Sequence, residues 1–471
     1  MKSMNSNILK ITYVFVGLFT ILAGYLMVYL FTDSKDDINN SYNKRQEILA
    51  QKIRRGSIYA NDMTILAKTV VDEDKNETRV YPYDELFCHV VGSYDKGVYG
   101  LEQSYNYELL SANQSIIDEV LADLNNEKLL GNGIVTTLDL ELQDVCYKAL
   151  GEYDGAIVIM DATSGDILSM VSKPDYNPND ISKIWNDIKE DDKGVLLNRA
   201  TQGLYPPGSV FKLFTLGEYI ASNSYSYESF LYTCEGSVSF TDFTMRCSNK
   251  KAHGKLDLKN AFANSCNCAF VEIGLDLDLN SFREYCNNKL FNSKEMPIDI
   301  AYKRSIYNLQ SSDSTFIKCQ TVIGQGETLV TPMHMCMVIS SIVNDGVLMK
   351  PRFVERIVDN NGNTLKTLDE SEYINLYTKE ETEILKTYLR EVVNSGTAYR
   401  LKNEKLDIYG KTGTAQISSS GKADSWFVGG IETQGSNKYA IAVVIENIND
   451  NTAPSVVVAK EIIKSLDKIE E

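Results

Sequence analysis

Apolar and polar residues alternate along this chain in several distinct regimes. From Ile11 to Phe31 no residue is charged, and a run of that length can cross a bilayer as a helix. Lys2 and Lys10 precede it, while Asp33, Asp36 and Asp37 follow. That asymmetry predicts a cytoplasmic N-terminus, one membrane pass and an exported body. A cleaved signal peptide has a shorter apolar core and a small-residue cleavage site, so an uncleaved anchor over residues 1–32 is the expectation. Ser34 to Ile53 is polar, with helical potential and little apolar face, and reads as a stalk. Beyond it, Val135 to Asp139 reads as strand then turn, with Asp139 capping a helix that carries Leu142 and Gln143.

The rest of the pattern is strand, helix, strand. Ala156–Met160 and Ile167–Met170 with Val171 are β-rich runs separated by a turn-like Ala162-Thr163-Ser164-Gly165-Asp166, a hairpin signal. Val210 to Ile220 has helical periodicity through Phe211, Leu213, Phe214 and Leu216, and Asn260 to Ala263 reads as helix. Lys411–Ala415, Ser425–Gly430 and Tyr439–Ile445 read as strands. Val456 to Leu466 reads as a helix with Pro454 just before it, and no appended module is expected after it. Strands at both ends with helices between them predict an α+β domain, an antiparallel sheet flanked by helices.

Composition narrows the picture. A chain of 471 residues fits two or more domains. The net charge of -17 argues against a nucleic-acid partner. Nine cysteines are an odd number and do not follow the spacing of a small disulfide scaffold, so reduced thiols are expected.

The candidate chemistry lies in three short stretches. Two prolines and a glycine (Tyr205-Pro206-Pro207-Gly208) set a rigid turn before Ser209. Ser209 then opens a helix, where its N–H and the helix dipole favour an oxyanion. Lys212 follows about one turn later and becomes a useful base if burial and a second cation lower its pKa. On its own this pair would more often be a capping serine and a surface lysine, but the Pro-Pro-Gly-Ser-x-Phe-Lys setting argues otherwise. Ser265 and Asn267 flank Cys266; they can relay a proton and orient an amide and Lys212. In Lys411-Thr412-Gly413-Thr414, Lys411 supplies positive potential and Thr412 and Thr414 can bind a carboxylate. Gly413 permits close backbone approach, and Thr414 N–H is the expected second oxyanion donor. An edge strand blunted by a lysine is the plainer reading of that segment.

Together these three stretches resemble the S-x-x-K, S-x-N and K-T-G set of penicillin-binding proteins and serine β-lactamases. The likeness extends to Ile323-Gly324-Gln325-Gly326 with Val330-Thr331-Pro332, and to Asn344-Asp345-Gly346 with Lys350-Pro351. Upstream, Arg55, Gly56, Ile58, Leu66 and Ala67 resemble the start of the non-catalytic pedestal of class B penicillin-binding proteins. Ala60-Asn61-Asp62-Met63 departs from its D-R-N-G turn. Tyr99-Gly100-Leu101-Glu102, Tyr105-Asn106, Leu109-Leu110 and the Thr137–Gln143 stretch are similar to its later signatures. The resemblance implies a stalk and small elongated pedestal over 33–150 and a transpeptidase domain over 151–471. It implies a monofunctional peptidoglycan D,D-transpeptidase in the plasma membrane with its catalytic domain outside, serving elongation, division or sporulation. The D-Ala-D-Ala end of a stem peptide would acylate Ser209, and an amine of a neighbouring stem peptide would resolve the acyl-enzyme. β-Lactams would acylate the same serine, and a SEDS-family glycosyltransferase is the implied membrane partner. No cofactor is required. Trp426, after the third motif, is expected to pack near the cleft floor.

Other readings remain open at this level. A β-lactam-hydrolysing or sensing enzyme would need a water-activating group, and none is identifiable. A scaffold that activates a glycosyltransferase is compatible with catalysis rather than opposed to it. A bifunctional enzyme would need a second catalytic domain, and about a hundred residues between anchor and transpeptidase leave little room for one. Around the second motif, Cys247, His253 and Cys266 form a candidate structural zinc set, with Cys234, Asp242 and Cys268 nearby in sequence. Buried free thiols and a surface histidine are the alternative. His334, in an apolar helix-like run, and His89, in an expected pedestal strand, have no partner pattern and are expected in core or surface roles.

Overall fold

The computed structural model describes residues 2–32, 44–97, 99–113, 116–125, 127–417, 421–449 and 453–469. Helix α1 (Lys2–Thr32) contains a stretch, Ile8–Val28, long and apolar enough to cross a membrane. Of the expected stalk, 34–43 lies outside the described residues, and Lys44–Lys52 is helical.

The larger sheet grows from the apolar runs. β5 (Gly155–Asp161) and β6 (Ile167–Lys173) form the expected hairpin. β13 (Asp407–Gln416), β14 (Lys422–Glu432) and β15 (Lys438–Asn449) join it in the order β13-β14-β15-β5-β6, with every pairing antiparallel. These runs are continuously apolar rather than alternating because both faces of the sheet are covered. Helix α6 (Pro332–Val343) is wholly buried against it, started by Thr331, whose hydroxyl accepts the His334 N–H, and by Pro332 in the first turn. Helices α2 (Leu140–Leu150) and α8 (Pro454–Ile469) pack on each other and on the sheet. His334 is a core residue whose Nε2 meets the Lys289 carbonyl at 2.7 Å.

A smaller sheet lies on the N-terminal side. β1 (Ile58–Tyr59), β2 (Ile65–Val71), β3 (Glu77–Val80) and β4 (Gly133–Thr136) pair with the hairpin β11 (Val354–Val358) and β12 (Thr364–Thr367), in the order β12-β11-β4-β1-β2-β3. This sheet therefore takes strands from both sides of residue 150. The turn before Thr64 closes without a glycine: Met63 itself adopts a left-handed φ of 70°. Its core is ionic. Glu102, fully buried, receives Arg55 Nε at 2.5 Å and Arg79 Nε at 2.7 Å, and Arg55 also donates to Asn106 Oδ1. Burial alone would raise the Glu102 carboxyl, but the two guanidinium groups outweigh it and hold it below its ordinary range.

Asp139 caps α2 as expected, its carboxylate accepting the Leu142 N–H at 2.8 Å. Buried Gln143 then fills all four of its hydrogen-bonding positions. It donates to the carbonyls of Leu86 and Met170 and accepts from Ser169 Oγ and the Met170 N–H, so one amide ties the Asp84–Phe87 turn to β6. His89 corrects the sequence reading: Cys88–Val91 is a helical turn, not a strand. A four-residue segment has no period long enough to distinguish the two.

Candidate active site

Ser209 sits in a 3-10 turn, Gly208–Phe211, that leads into helix α3 (Lys212–Ser222). Gly208 holds a left-handed φ of +53°, and its N–H donates to the Gly324 carbonyl at 2.8 Å. The Ile323–Gly326 stretch thus buttresses the turn. Trp426 is fully buried, and its indole N–H donates to the Pro206 carbonyl at 3.1 Å, beneath the same turn.

Lys212 is fully buried and is the hub of the site. Its Nζ lies 3.2 Å from Ser209 Oγ, 3.2 Å from Ser265 Oγ, 2.8 Å from the Ser265 carbonyl and 2.6 Å from Asn267 Oδ1. Ser265 can offer both oxygens because its backbone is left-handed, with φ 53°. Turn bonds from Ser265 N–H to the Phe262 carbonyl and from Cys266 N–H to the Ala261 carbonyl hold it there, at the end of helix α4 (Leu258–Ala263). Lys411, also fully buried, donates to Ser265 Oγ at 3.0 Å and to the Thr412 carbonyl at 3.0 Å. Burial draws the Lys212 pKa down to about 8, against the opposing pull of the Cys266, Cys247 and Cys268 sulfurs. Lys411 falls well below the usual lysine range, first through burial and then through the like charge of Lys212.

β13 is the edge strand of its sheet, so one side of its backbone faces out. The Thr414 carbonyl faces Gln325 Nε2 and lies against Gly208, away from β14. Within a strand a residue's N–H and C=O point to the same side, so the Thr414 N–H also faces the Ser209 turn. Thr412 and Thr414 are half-buried and alternate with buried Lys411, Gly413 and Ala415. The room left by Gly413 is taken by the protein itself: a Cβ there would stand 2.9 Å from the Pro207 carbonyl and 3.0 Å from Val210. The sequence reading missed Thr397. Its hydroxyl meets that of Thr412 at 2.6 Å, from a turn in which Thr397 N–H bonds the Ala263 carbonyl beside the second motif. The Gly396-Thr397-Ala398 step after helix α7 (Lys379–Asn394) was its only sequence trace.

Cys247, His253 and Cys266 also come together, with Cys234 as a fourth member. A cavity of about 730 Å³ elsewhere, lined by Ser104, Tyr105, Lys350 and Arg352 among others, includes none of the motif residues. The catalytic candidates are recognised by side-chain geometry, not by volume.

Known proteins share sequence and fold with this chain. The chain is 25% identical over 425 residues to the peptidoglycan D,D-transpeptidase PbpA of Mycolicibacterium smegmatis, covering 84% of each chain. Its fold matches the D,D-transpeptidase domain of a peptidoglycan glycosyltransferase from Eggerthella lenta with a TM-score of 0.79 at 27% identity, over 89% of this chain and 99% of that one. It also matches the fold of M. tuberculosis penicillin-binding protein A in its imipenem acyl-enzyme complex, with a TM-score of 0.78 at 22% identity over 88% and 99% of the two chains. Residues 55–134 match the penicillin-binding protein A dimerisation domain. Residues 155–466, well over half of the chain, match the penicillin-binding protein transpeptidase domain, and the chain belongs to that family, among its class B members.

Proposed function

We propose that this chain is a serine-type D,D-transpeptidase that cross-links peptidoglycan stem peptides and is inhibited by β-lactams. One observation carries the reading: a buried lysine amine stands 3.2 Å from two serine hydroxyls at once, Ser209 and Ser265. Neutral Lys212 takes the Ser209 proton as Oγ attacks the carbonyl of the penultimate D-alanine. The N–H groups of Ser209 and Thr414 hold the oxyanion. Ser265 passes a proton to the leaving amine, Asn267 orients Lys212 and the peptide, and D-alanine departs. An acceptor amine from a second stem peptide then reverses these steps and releases Ser209. Lys411, Thr412 and Thr414 bind the terminal carboxylate of the donor, and Gly413 keeps that strand close to the nucleophile.

In the same reading, residues 1–32 anchor the chain in the plasma membrane, 33–150 form the stalk and pedestal, and 151–471 form the extracytoplasmic catalytic domain. A SEDS-family glycosyltransferase is its membrane partner. Acyl transfer needs no cofactor, and a structural zinc on Cys247, His253 and Cys266 stands outside the chemistry. Intact mass of the full chain with a penicillin, beside Ser209→Ala, tests the core of the proposal. A stable adduct on the wild type alone is expected. Rapid loss of the adduct with drug turnover would instead identify a hydrolase, and equal labelling of both chains would remove Ser209 as nucleophile.

A further inference from the structure

Four side chains from separate segments converge beside the second motif. Cys234 ends strand β7 (Leu231–Cys234), and Cys247 follows the hairpin of β8 (Ser237–Ser239) and β9 (Thr244–Arg246). His253 precedes β10 (Gly254–Asp257), and Cys266 stands between Ser265 and Asn267, capping helix α5 (Asn267–Asp276). Their ligand atoms all lie within 4.8 Å of one another. Cys234 Sγ is 3.7 Å from Cys247 Sγ and 3.4 Å from His253 Nδ1, and Cys247 Sγ is 3.7 Å from Cys266 Sγ. A tetrahedron with bonds of about 2.3 Å to sulfur and about 2.0 Å to nitrogen has sulfurs about 3.8 Å apart and sulfur to nitrogen about 3.5 Å. The three distances above match it. A disulfide would need about 2.05 Å, and all nine cysteines are free.

Two further observations favour thiolates held by a metal over thiols packed for volume. Backbone N–H groups already point at two of the sulfurs, Gly236 at Cys234 and Ala269 at Cys266, each at 3.4 Å. Such outer-shell donors stabilise the charged ligand. The segment from 231 to 257 also has little core of its own: its strands are two to a sheet and mostly exposed or half-buried. A segment of that kind needs a crosslink to hold one shape. Cys268 Sγ approaches Cys247 Sγ at 3.5 Å but lies outside the mutually close set.

We infer that Cys234 completes a four-coordinate Zn(II) centre with Cys247, His253 and Cys266, and that metal loading controls the placement of Ser265 and Asn267. The second half of this rests on the reading of those two residues as catalytic. Binding releases three thiol protons to solvent and leaves three thiolates and a neutral imidazole on the ion. The mechanical route is short. Cys266 is a ligand and both its neighbours contact Lys212. Asn267 Nδ2 also donates to the carbonyl of Arg246, the residue before Cys247, at 2.9 Å. With the ion in place, both sides of Asn267 are fixed. Without it, the hairpin and the second motif are free to part.

The test uses the full chain in detergent under reducing conditions, with elemental analysis for zinc and a fluorescent penicillin for acylation. About one zinc per chain is expected in the wild type and in Cys336→Ser, a buried thiol set against the Val158 and Ala440 carbonyls of the larger sheet. Cys234→Ser and Cys247→Ser should retain a small fraction of it and acylate about 10–100-fold more slowly, the usual range for a disturbed metal site. Because those variants can misfold, the wild type is also stripped with a chelator and reloaded with Zn(II). Acylation should fall and then return. Asn267→Ala should keep its zinc and lose acylation, which separates the metal from the chemistry. Less than about a tenth of a zinc per wild-type chain, with no uptake from added Zn(II), would overturn the centre. Full zinc with acylation indifferent to its removal would overturn the control of the second motif. Zinc-loaded wild type that no penicillin acylates would leave the centre standing and refute the reading of Ser209.

Discussion

Replacing Gly208 with alanine tests whether the Ser209 turn and the third motif are held at a fixed spacing. Gly208 has φ +53°, and an added Cβ would stand 2.6 Å from the Thr414 carbonyl oxygen, 2.8 Å from its carbon and 3.0 Å from Ala415 N. All three atoms are backbone, so no side chain can swing aside. Restoring ordinary contact requires the turn and β13 to part by ~1 Å, and a misplacement of that size costs about 100-fold in rate. The left-handed backbone adds about 1 kcal/mol of strain for a residue with a Cβ. Gly362→Ala separates the two effects. Gly362 has φ +84° with nothing within 4 Å of its added Cβ, in the turn between β11 and β12. Acylation rates by stopped-flow with a fluorescent penicillin and thermal melts of both variants are the assay. Gly362→Ala should lose about 1 kcal/mol of stability and acylate normally. Gly208→Ala should lose at least as much stability and about two orders of magnitude in acylation. If Gly208→Ala acylates within about twofold of the wild type, the spacing is not what the nucleophile depends on, and the argument from packing fails.

Acylation should rise about tenfold from about pH 7 to about pH 9 and then level. Lys212 acts as a base only when neutral, and burial brings its pKa to about 8; a flat profile would rule it out as the base. Glu102→Gln should cost about 3–5 kcal/mol at neutral pH by leaving Arg55 and Arg79 buried against an uncharged amide. Because the Glu102 pKa is depressed by folding, its contribution is present above the ordinary carboxylate range and is lost as pH falls through the depressed value. The variant's stability should therefore be flatter in acid, as urea titrations across pH would detect. Gln143→Leu should cost about 2–4 kcal/mol by stranding four buried partners. An unchanged denaturation midpoint would mean that the tie between the Asp84–Phe87 turn and β6 is incidental.

Much of this molecule could be read from the chain alone, because the signals are local. An uncharged run from Ile11 to Phe31 is long enough to cross a bilayer, and the β-rich stretches at 156–160, 425–430 and 439–445 are strands covered on both faces. The three motifs were legible because each is a fixed set of residue types beside a turn or cap whose geometry proline, glycine and hydroxyl residues dictate. What sequence could not supply was anything that depends on segments far apart meeting. Thr397 reaches Thr412 only because the turn after a long helix packs on Ala263. Gly413 makes room for the Ser209 turn rather than leaving open space, a fact that needs β13 and residues 207–210 side by side. Cys234 joins Cys247, His253 and Cys266 through the pairing of β7 with β10, which no spacing rule encodes. His89 was misread because a four-residue segment carries no period. Residue types and local periodicity determined the parts and their chemistry. Tertiary packing decided which parts touch, since burial and register bring together groups that lie hundreds of residues apart in the chain.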